Sequence, residues 1–474
     1  MKRLIIALAL VALVAVPAFA SVQNVKVSGE IDSMWLVRDR FNLGTSVTND
    51  ATQGNDAYQN LFITQALVRI DADLTDNVGT TVQLINERSW GSNANEGVRV
   101  DLAYVTLKEM LYAPLSVTVG RQNLRYGNGF IIGDRDTNDL GGGTGLAGVA
   151  RDLTKEKAFD AVKMVLDYHP LVIDVFAARI TQGTVVEQGD HKNDVDLFGI
   201  NANYQLGDKW NSVFEAYFFA KVDKNTAGVA LNAVDTDKVL TPGLRASINP
   251  IKGLNLQAEG AWQGGTKATA SSAATVANMS RNAIAGQFVS NYQLPFAKTE
   301  KYKPVTQTVY TFLSGESTPN DVQYGWSASR NEWNGWDPMF EDQAGGTIYN
   351  TLFDLTNAHI LTSSIQASPI QDVTAKFSST WIWLQKEVDF GAAAGGIGTG
   401  NQFFTMRQPD GTNITPRVTS NKDVGYEFDA DFRYDYTEDV ALGVSLGWFF
   451  PGNFFDSAND RTAKQFITSV DVKF

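Results

Sequence analysis

The sequence predicts an all-β fold, a transmembrane antiparallel β-barrel of about 18 strands with short periplasmic turns and long extracellular loops. Three observations carry the prediction. Apolar and polar residues alternate with a period of two along many segments, the connections between those segments alternate between short and long, and the 474-residue chain ends on an aromatic residue. The period matters because successive side chains of a strand point to opposite faces.

In chain order, MKRLIIALALVALVAVPAFA comes first. Lys2 and Arg3, the apolar run from Leu4 to Val16, and Ala18-Phe19-Ala20 form the pattern of a secretory signal peptide, expected to be cleaved before Ser21. The run is short for an anchor helix, and no later stretch approaches the roughly 20 apolar residues that a spanning helix needs. The expected organisation is a signal peptide over residues 1–20 and one barrel over 21–474.

Composition excludes several chemistries. The chain has no cysteine, so thiol catalysis and disulfides are ruled out. Its three histidines, His169, His191 and His359, are far apart and give a zinc site no support. Neither a metal nor a cofactor is expected. Removing Lys2 and Arg3, with no acid in the signal segment, moves the formal net charge from −13 to −15, which makes nucleic acid a poor partner.

The clearest strand is VGYEFDADFRYDY. Val424, Tyr426, Phe428, Ala430, Phe432, Tyr434 and Tyr436 fall on one face, and Glu427, Asp429, Asp431, Arg433 and Asp435 on the other. Phe62 to Leu74, Phe214 to Lys221, Gly243 to Asn249, Leu254 to Gln263, Val373 to Trp383 and Phe466 to Phe474 alternate similarly. A soluble sandwich and a membrane barrel both use such strands. The connections separate them. Short ones fall at Thr75 to Asn77, His169 and Pro170, Gly207 and Asp208, Asn249 to Gly253, Pro369 to Asp372 and Thr437 to Asp439. Long ones lie between: Asp39 to Ala57, Gln122 to Lys157, Thr181 to Asn193, Val222 to Lys238, Gly264 to Val276, Ser314 to Thr356, Gln385 to Asn421 and Phe450 to Thr462. Lys108 to Pro114 fits the short class poorly. The alternation is the asymmetry of an outer-membrane barrel. Aromatic girdles are expected from Trp210, Trp262, Trp381, Trp383, Trp448 and Tyr168.

The last strand, FITSVDVKF, ends on Phe474. Bacterial barrels resemble one another in such a terminal aromatic, which implies recognition of Phe474 by the barrel assembly machinery.

One glycine-rich stretch, VGRQNLRYGNGFIIGD from Val119 to Asp134, resembles a phosphate-cradling loop at first sight. Its glycines are one residue too widely spaced for a dinucleotide fingerprint, and no helix pattern follows, so the glycines read instead as a sharp loop able to fold into a pore. Gly120-Arg121-Gln122, Tyr126-Gly127 and Gly133-Asp134 resemble the strand-to-loop signature of the alginate export family of outer-membrane barrels. The resemblance continues in order through Phe159-Asp160-Ala161-Val162, Gly243-Leu244-Arg245, Glu259 with Gln263-Gly264-Gly265, Phe353, Asn357 and His359, then Tyr426-Glu427-Phe428-Asp429 and Phe450-Pro451-Gly452-Asn453-Phe454. It implies a bacterial outer-membrane porin, expected to be monomeric, that passes polysaccharide or smaller hydrophilic solutes passively. The chain departs from the family in its Leu140 to Gly148 stretch, which lacks an expected tryptophan, and in its acidity, which sits badly with a polyuronate.

If the barrel phase is right, Arg69, Arg99, Lys163, Arg245, Lys376 and Arg433 point inward. So do Glu30, Asp32, Asp71, Asp73, Asp101, Glu215, Glu259, Glu427, Asp429 and Asp431. Mixed charge in a wet pore tunes ion selectivity, and an arginine fork suits a carboxylate, but the same charges could simply pair across neighbouring strands. Arg121 shares parity with Val117 and Val119, which face lipid, so its pore-lining role, like that of Arg125 beyond it, follows from the resemblance. Trp326, Trp333 and Trp336 could stack on sugar rings or anchor a folded loop. Acid pairs such as Asp429 and Asp431 have only the spacing of neighbours on one strand face, so no enzyme is expected. The alternatives are a structural or adhesive outer-membrane barrel with a plugged lumen, and a secreted all-β glycan-binding or glycan-cleaving protein.

Overall fold

The computed structural model describes residues 24–44, 58–91, 97–135, 145–181, 194–224, 236–269, 277–295, 300–316, 332–343, 346–387, 406–411, 413–414 and 416–474. The expected signal segment, Trp326 and His191 lie outside the described residues.

The first strands are β1 (Asn24–Asp39), β2 (Gln59–Thr75), β3 (Val78–Ser89), β4 (Arg99–Leu107), β5 (Leu115–Gln122), β6 (Phe159–Asp167) and β7 (Leu171–Thr181). There follow β8 (Val195–Gln205), β9 (Val213–Asp223), β10 (Asp237–Ile251), β11 (Leu254–Thr269), β12 (Ala277–Arg281), β13 (Ala283–Gln293), β14 (Val305–Leu313) and β15 (Glu332–Trp333). The last are β16 (Ala358–Ala367), β17 (Val373–Leu384), β18 (Met406–Arg407), β19 (Asn413–Ile414), β20 (Asp423–Asp435), β21 (Val440–Pro451) and β22 (Ala463–Lys473). All but the short β12, β15, β18 and β19 form a closed 18-strand antiparallel barrel. β1 closes it by pairing with β2 on one side and β22 on the other, with Ile31 opposite Val472. Closure removes the sheet edges, as a membrane span requires.

The barrel is inside out relative to a soluble protein. On β20 the aromatic face is exposed, with Tyr426 45%, Phe428 40% and Tyr434 42% accessible, while Glu427 and Asp429 on the other face are 0% and 1% accessible. Lipid covers the first face and protein fills part of the second. Register carries the same phase around the wall: Glu427 is opposite Thr380, Thr380 opposite Thr362, and Thr362 opposite Val309.

Two connections differ from expectation. Gly264 to Val276 reads as a loop, but β11 continues to Thr269 and pairs with β12, Thr266 opposite Ser280. Gly265 serves a close backbone approach rather than a turn: its φ is +111°, and a Cβ on it would lie 2.4 Å from the Lys238 carbonyl oxygen, while a Cβ on Gly264 would meet the Trp262 ring. At the short-turn end, 294–304 is a longer connection that the pattern does not reveal.

The largest buried apolar cluster lies inside the lumen. Phe130, Ile132, Trp336, Met339, Phe340 and Phe353 come from connecting segments and pack on Phe159, Phe176, Phe219, Ile382 and Phe449 of the wall. Among the described residues, stretches of several long connections therefore fold inward: those between β5 and β6 and between β14 and β16 supply most of this cluster, and Met406, between β17 and β20, joins it.

Candidate functional site

The first inserted segment begins where β5 stops. Gln122 ends the strand by donating from Nε2 to the carbonyls of Ala161 at 3.0 Å and Gly120 at 3.2 Å. Beyond it Tyr126 stacks on Phe176, centroids 5.4 Å apart. Residues 129–134 then zip onto 340–342 of the second segment. The Gly133 N–H donates to the Phe340 carbonyl at 2.7 Å, Phe340 to Ile131 at 3.1 Å and Asp342 to Gly129 at 2.8 Å. Backbone groups deep in a barrel are thus satisfied without a third sheet.

The polar side of this junction forms a crest across the lumen. Arg125 pairs with the Asp342 carboxylate and donates from Nη2 to the Asn128 carbonyl at 2.9 Å. Gly129 makes this fold possible, since its φ is +74° and a Cβ there would sit 2.9 Å from the Arg125 guanidinium. Lys157 Nζ approaches Asp342 at 2.6 Å and Asp134 at 3.5 Å. Burial pushes the Asp342 carboxyl up, but Lys157 and Arg125 outweigh it and hold the group below its ordinary value. Burial likewise opposes the Lys157 ammonium, and Asp342 and Asp134 outweigh it and raise the group. Both are therefore charged at neutral pH. Arg125 and Lys157 remain 48% and 39% exposed, open to a solute.

Three anchors hold the crest. The run 152–157 is fixed by charge. Arg38 pairs with Asp152, Lys155 with Glu30 at 2.9 Å and Asp32 at 3.3 Å, and Arg99 with Glu156 at 2.8 Å. Buried Glu87 accepts from Thr154 Oγ1 at 2.7 Å and from the Lys155 N–H at 2.8 Å. In the second segment Asp337 sits 3.2 Å from Lys221 and 3.6 Å from Arg281, which hold its carboxyl well below the usual range against the opposing effect of burial. Farther along, Glu427 accepts the N–H groups of Ile348 and Tyr349, both at 2.7 Å, and Thr347 Oγ1 donates to Asp429 at 2.8 Å.

Two cavities flank the crest and share Asp342, Gln343 and Leu355 as a common wall. The smaller, about 190 Å³, lies toward the long loops and brings Arg151, Lys157 and Arg407 together with Asp134, Asp152, Glu341 and Asp342. The larger, about 590 Å³, lies toward the short turns. Its charged residues are Arg125, Lys376 and Asp342, and the rest of its lining is amide, hydroxyl, apolar or backbone.

The residues singled out by sequence are distributed around this site. Arg125 is at its centre. Arg245 lies beneath, paired with Glu215 and donating to Gln257 at 2.7 Å, while Glu259 accepts from the Tyr217 hydroxyl at 2.8 Å. Arg99, Glu427 and Asp429 are anchors rather than solute contacts. Arg69, 2.8 Å from Asp71, and Arg433, 2.8 Å from Asp435, pair within their own strands toward the short-turn end. Lys163 is on the lumen face of β6, opposite Phe176. Arg121 does not line the pore. It shares register with Asp160, 55% exposed on the lipid side, and bonds it at 3.4 Å, because Gly120 rather than Arg121 is level with inward-facing Tyr104. Trp333 donates from Nε1 to the Gly335 carbonyl at 2.9 Å and Trp336 stacks on Phe130, so both anchor the second segment rather than offer a ring to the lumen. Asn128, Lys157, Asp342 and Gln343 escaped sequence reasoning. Asn128 lies between two glycines of the stretch that drew attention, but 342–343 carry no periodic or motif signal.

Comparison with known proteins places this geometry. The family described as alginate export matches residues 36–469. No curated protein matches the chain by sequence. Among solved structures, Acinetobacter baumannii OccAB1 is similar at TM-score 0.54 and 9% identity, covering 96% of this chain and 97% of that one. A BenF-like porin from Pseudomonas fluorescens Pf-5 gives 0.52 and 9%, covering 96% and 100%. Pseudomonas aeruginosa OccK2 (OpdF) in complex with glucuronate gives 0.51 and 10%, covering 96% and 99%. At such identities the structures speak for the fold. With a closed barrel that turns its apolar face outward, porins as its structural neighbours and a family match along nearly all of its length, the chain belongs to the alginate export family of bacterial outer-membrane porins.

Proposed function

We propose that this porin is a passive channel for small hydrophilic acids that pass one at a time, rather than for a polysaccharide strand. The observation that supports this is the division of the lumen into cavities of about 190 and 590 Å³ by a crest whose exposed cations are Arg125 and Lys157. A space of about 300–1,000 Å³ holds a single small molecule. The larger cavity carries two cations against one acid, so its local field is positive although the chain is acidic overall. A passing carboxylate exchanges with Asp342 as the partner of Arg125 and Lys157, which leaves no cation bare at any stage. The presence of glucuronate, a small acid, in one porin of similar fold agrees with this reading.

The same proposal has the barrel act as a monomer in outer-membrane lipid after loss of residues 1–20. It also has the assembly machinery read Phe474, whose backbone pairs with Gly29 at the seam and whose side chain is 62% exposed. The test is a planar-bilayer recording of the purified barrel under a salt gradient, followed by addition of small acids and of polyuronate. An anion-selective reversal potential with current block by small acids is expected. A second reading, a structural barrel with a plugged lumen, draws on the apolar cluster that occupies one side of the lumen. Folded protein with no conductance would select it and overturn the channel.

A further inference from the structure

One wall of the larger cavity differs in chemistry from the rest of the lumen. At the level of the larger cavity the inward faces of β13, β14 and β16 carry uncharged side chains in register, continued by Gln257 on β11 and by Ser378 and Thr380 on β17, with Glu259 and Lys376 marking where charge resumes on those two flanking strands. Asn291 is opposite Gln307, Gln307 opposite Ser364, and Ser364 opposite Ser378. The next row is Val289, Val309, Thr362 and Thr380. The neighbouring inward face of β20 presents Glu427, Asp429, Asp431 and Arg433 instead. The amides are ordered by one another: Gln307 Nε2 donates to Asn291 Oδ1 at 2.8 Å, and Asn128 Nδ2 to Gln257 Oε1 at 2.8 Å. Gln287 Nε2 bridges Gln343 Oε1 at 2.7 Å and Thr311 Oγ1 at 3.1 Å. Gln287 and Gln343 have both donor hydrogens engaged, Gln343 Nε2 on the Asn128 and Asp342 carbonyls, whereas the bond between Gln307 and Asn291 uses one donor hydrogen and one acceptor oxygen and leaves the Asn291 NH₂ group and the Gln307 oxygen with capacity at the cavity wall.

We infer that this amide wall reads hydroxyl groups, so that among acids of equal charge and chain length the channel favours polyhydroxylated ones. The inference rests on the proposed passage of small acids and goes beyond it by naming what the uncharged wall selects. A hydroxyl donates and accepts, as an amide does, and can replace the water that it displaces from Gln307 or Asn291. An alkyl chain displaces the same water and returns no hydrogen bond, which leaves the amides desolvated. Val289 and Val309, in the adjoining row, offer an apolar strip for the C–H side of such a solute. Arg125 and Lys376, both lining this cavity, hold its carboxylates.

The test compares glucarate with adipate, six-carbon dicarboxylates that differ in their hydroxyls, by bi-ionic reversal potentials across the full-length barrel in planar bilayers. The glucarate-to-adipate permeability ratio is expected to exceed unity by about threefold to tenfold, the worth of one net hydrogen bond. Replacing Asn291 and Gln307 together by leucine removes two partners that satisfy each other and so orphans neither. In that double variant the ratio should fall toward unity while anion-over-cation preference is unchanged. A wild-type ratio of one with anion preference intact would overturn the inference without any variant. So would a ratio preserved in the double variant, its folding shown by heat-modifiable gel mobility. Loss of anion preference in the wild type would instead remove the reading on which the inference rests.

Discussion

Replacing Glu427 by glutamine tests whether the second inserted segment is held by one buried carboxylate. Glu427 is 0% accessible and accepts the Ile348 and Tyr349 N–H groups at 2.7 Å each, at the start of the short helix Tyr349–Leu352. Glutamine keeps the shape but turns one acceptor oxygen into an NH₂ group, which then meets a backbone donor. Losing one acceptor and orphaning a buried backbone donor costs about 1–3 kcal/mol. The strands stay paired, so the cost falls on the local equilibrium between seated and released segment, a shift of about 5- to 140-fold at roughly 1.4 kcal/mol per tenfold. Tyr349 and Leu355 line the larger cavity, and Asn350, Thr351 and Phe353 the smaller, so release widens both. Single-channel recording of Glu427→Gln should show a second, larger conductance level and excess open-channel noise. Wild-type conductance and noise from a variant shown to be folded would refute the anchoring argument.

Arg125→Gln should lower anion preference by about threefold, from roughly 0.7 kcal/mol for a unit charge about 6 Å from the solute in water-like surroundings, as read from reversal potentials. Gly133→Ala puts a Cβ 2.6 Å from Asp342 Cβ and 3.1 Å from Arg125 Nη1. It should loosen the crest at a cost of about 1–3 kcal/mol and raise channel noise without altering barrel mobility on gels. Burial pushes the Glu341 carboxyl up to about 8; the Gln343 N–H opposes the rise, and Asp134, Asp342 and Asp354 add to it. The seated segment therefore binds this proton more tightly than the released one, whose ordinary value is 4.5. Seating is fully favoured below about pH 4.5, weakens as pH rises to about 8 and is level above it. Noise should rise across that window, and Glu341→Gln should flatten the profile.

Much of the architecture is legible in the chain because lipid imposes a simple rule. A strand between lipid and lumen must alternate, and the alternation of VGYEFDADFRYDY already separates the face that the structure exposes from the face that it buries. The same parity argues that Arg121 faces lipid, and the register agrees, against the role that family resemblance implied for it. Gly264-Gly265 misleads for a local reason. A glycine pair marks a turn or a close backbone approach equally well, and only the position of the Lys238 carbonyl distinguishes them.

The site is harder to read. Gly127, Gly129 and Gly133 announce a tight loop, yet nothing near them announces Asp342, which lies more than 200 residues away in the chain and completes the crest. Glu427 and Asp429 carry the signature of lumen charges and serve as anchors, because a carboxylate facing inward meets whatever backbone has been inserted there.

The amino-acid sequence by itself determined the barrel, its family and the absence of thiol chemistry, since each follows from periodicity, ordered motifs or composition along the chain. Tertiary structure alone decided that stretches of the long connections enter the lumen, which charges remain open to a solute and which become anchors, and that β13, β14 and β16 side by side present uncharged inward faces. Those outcomes depend on side chains brought together from distant strands and loops, and local patterning carries no record of such meetings.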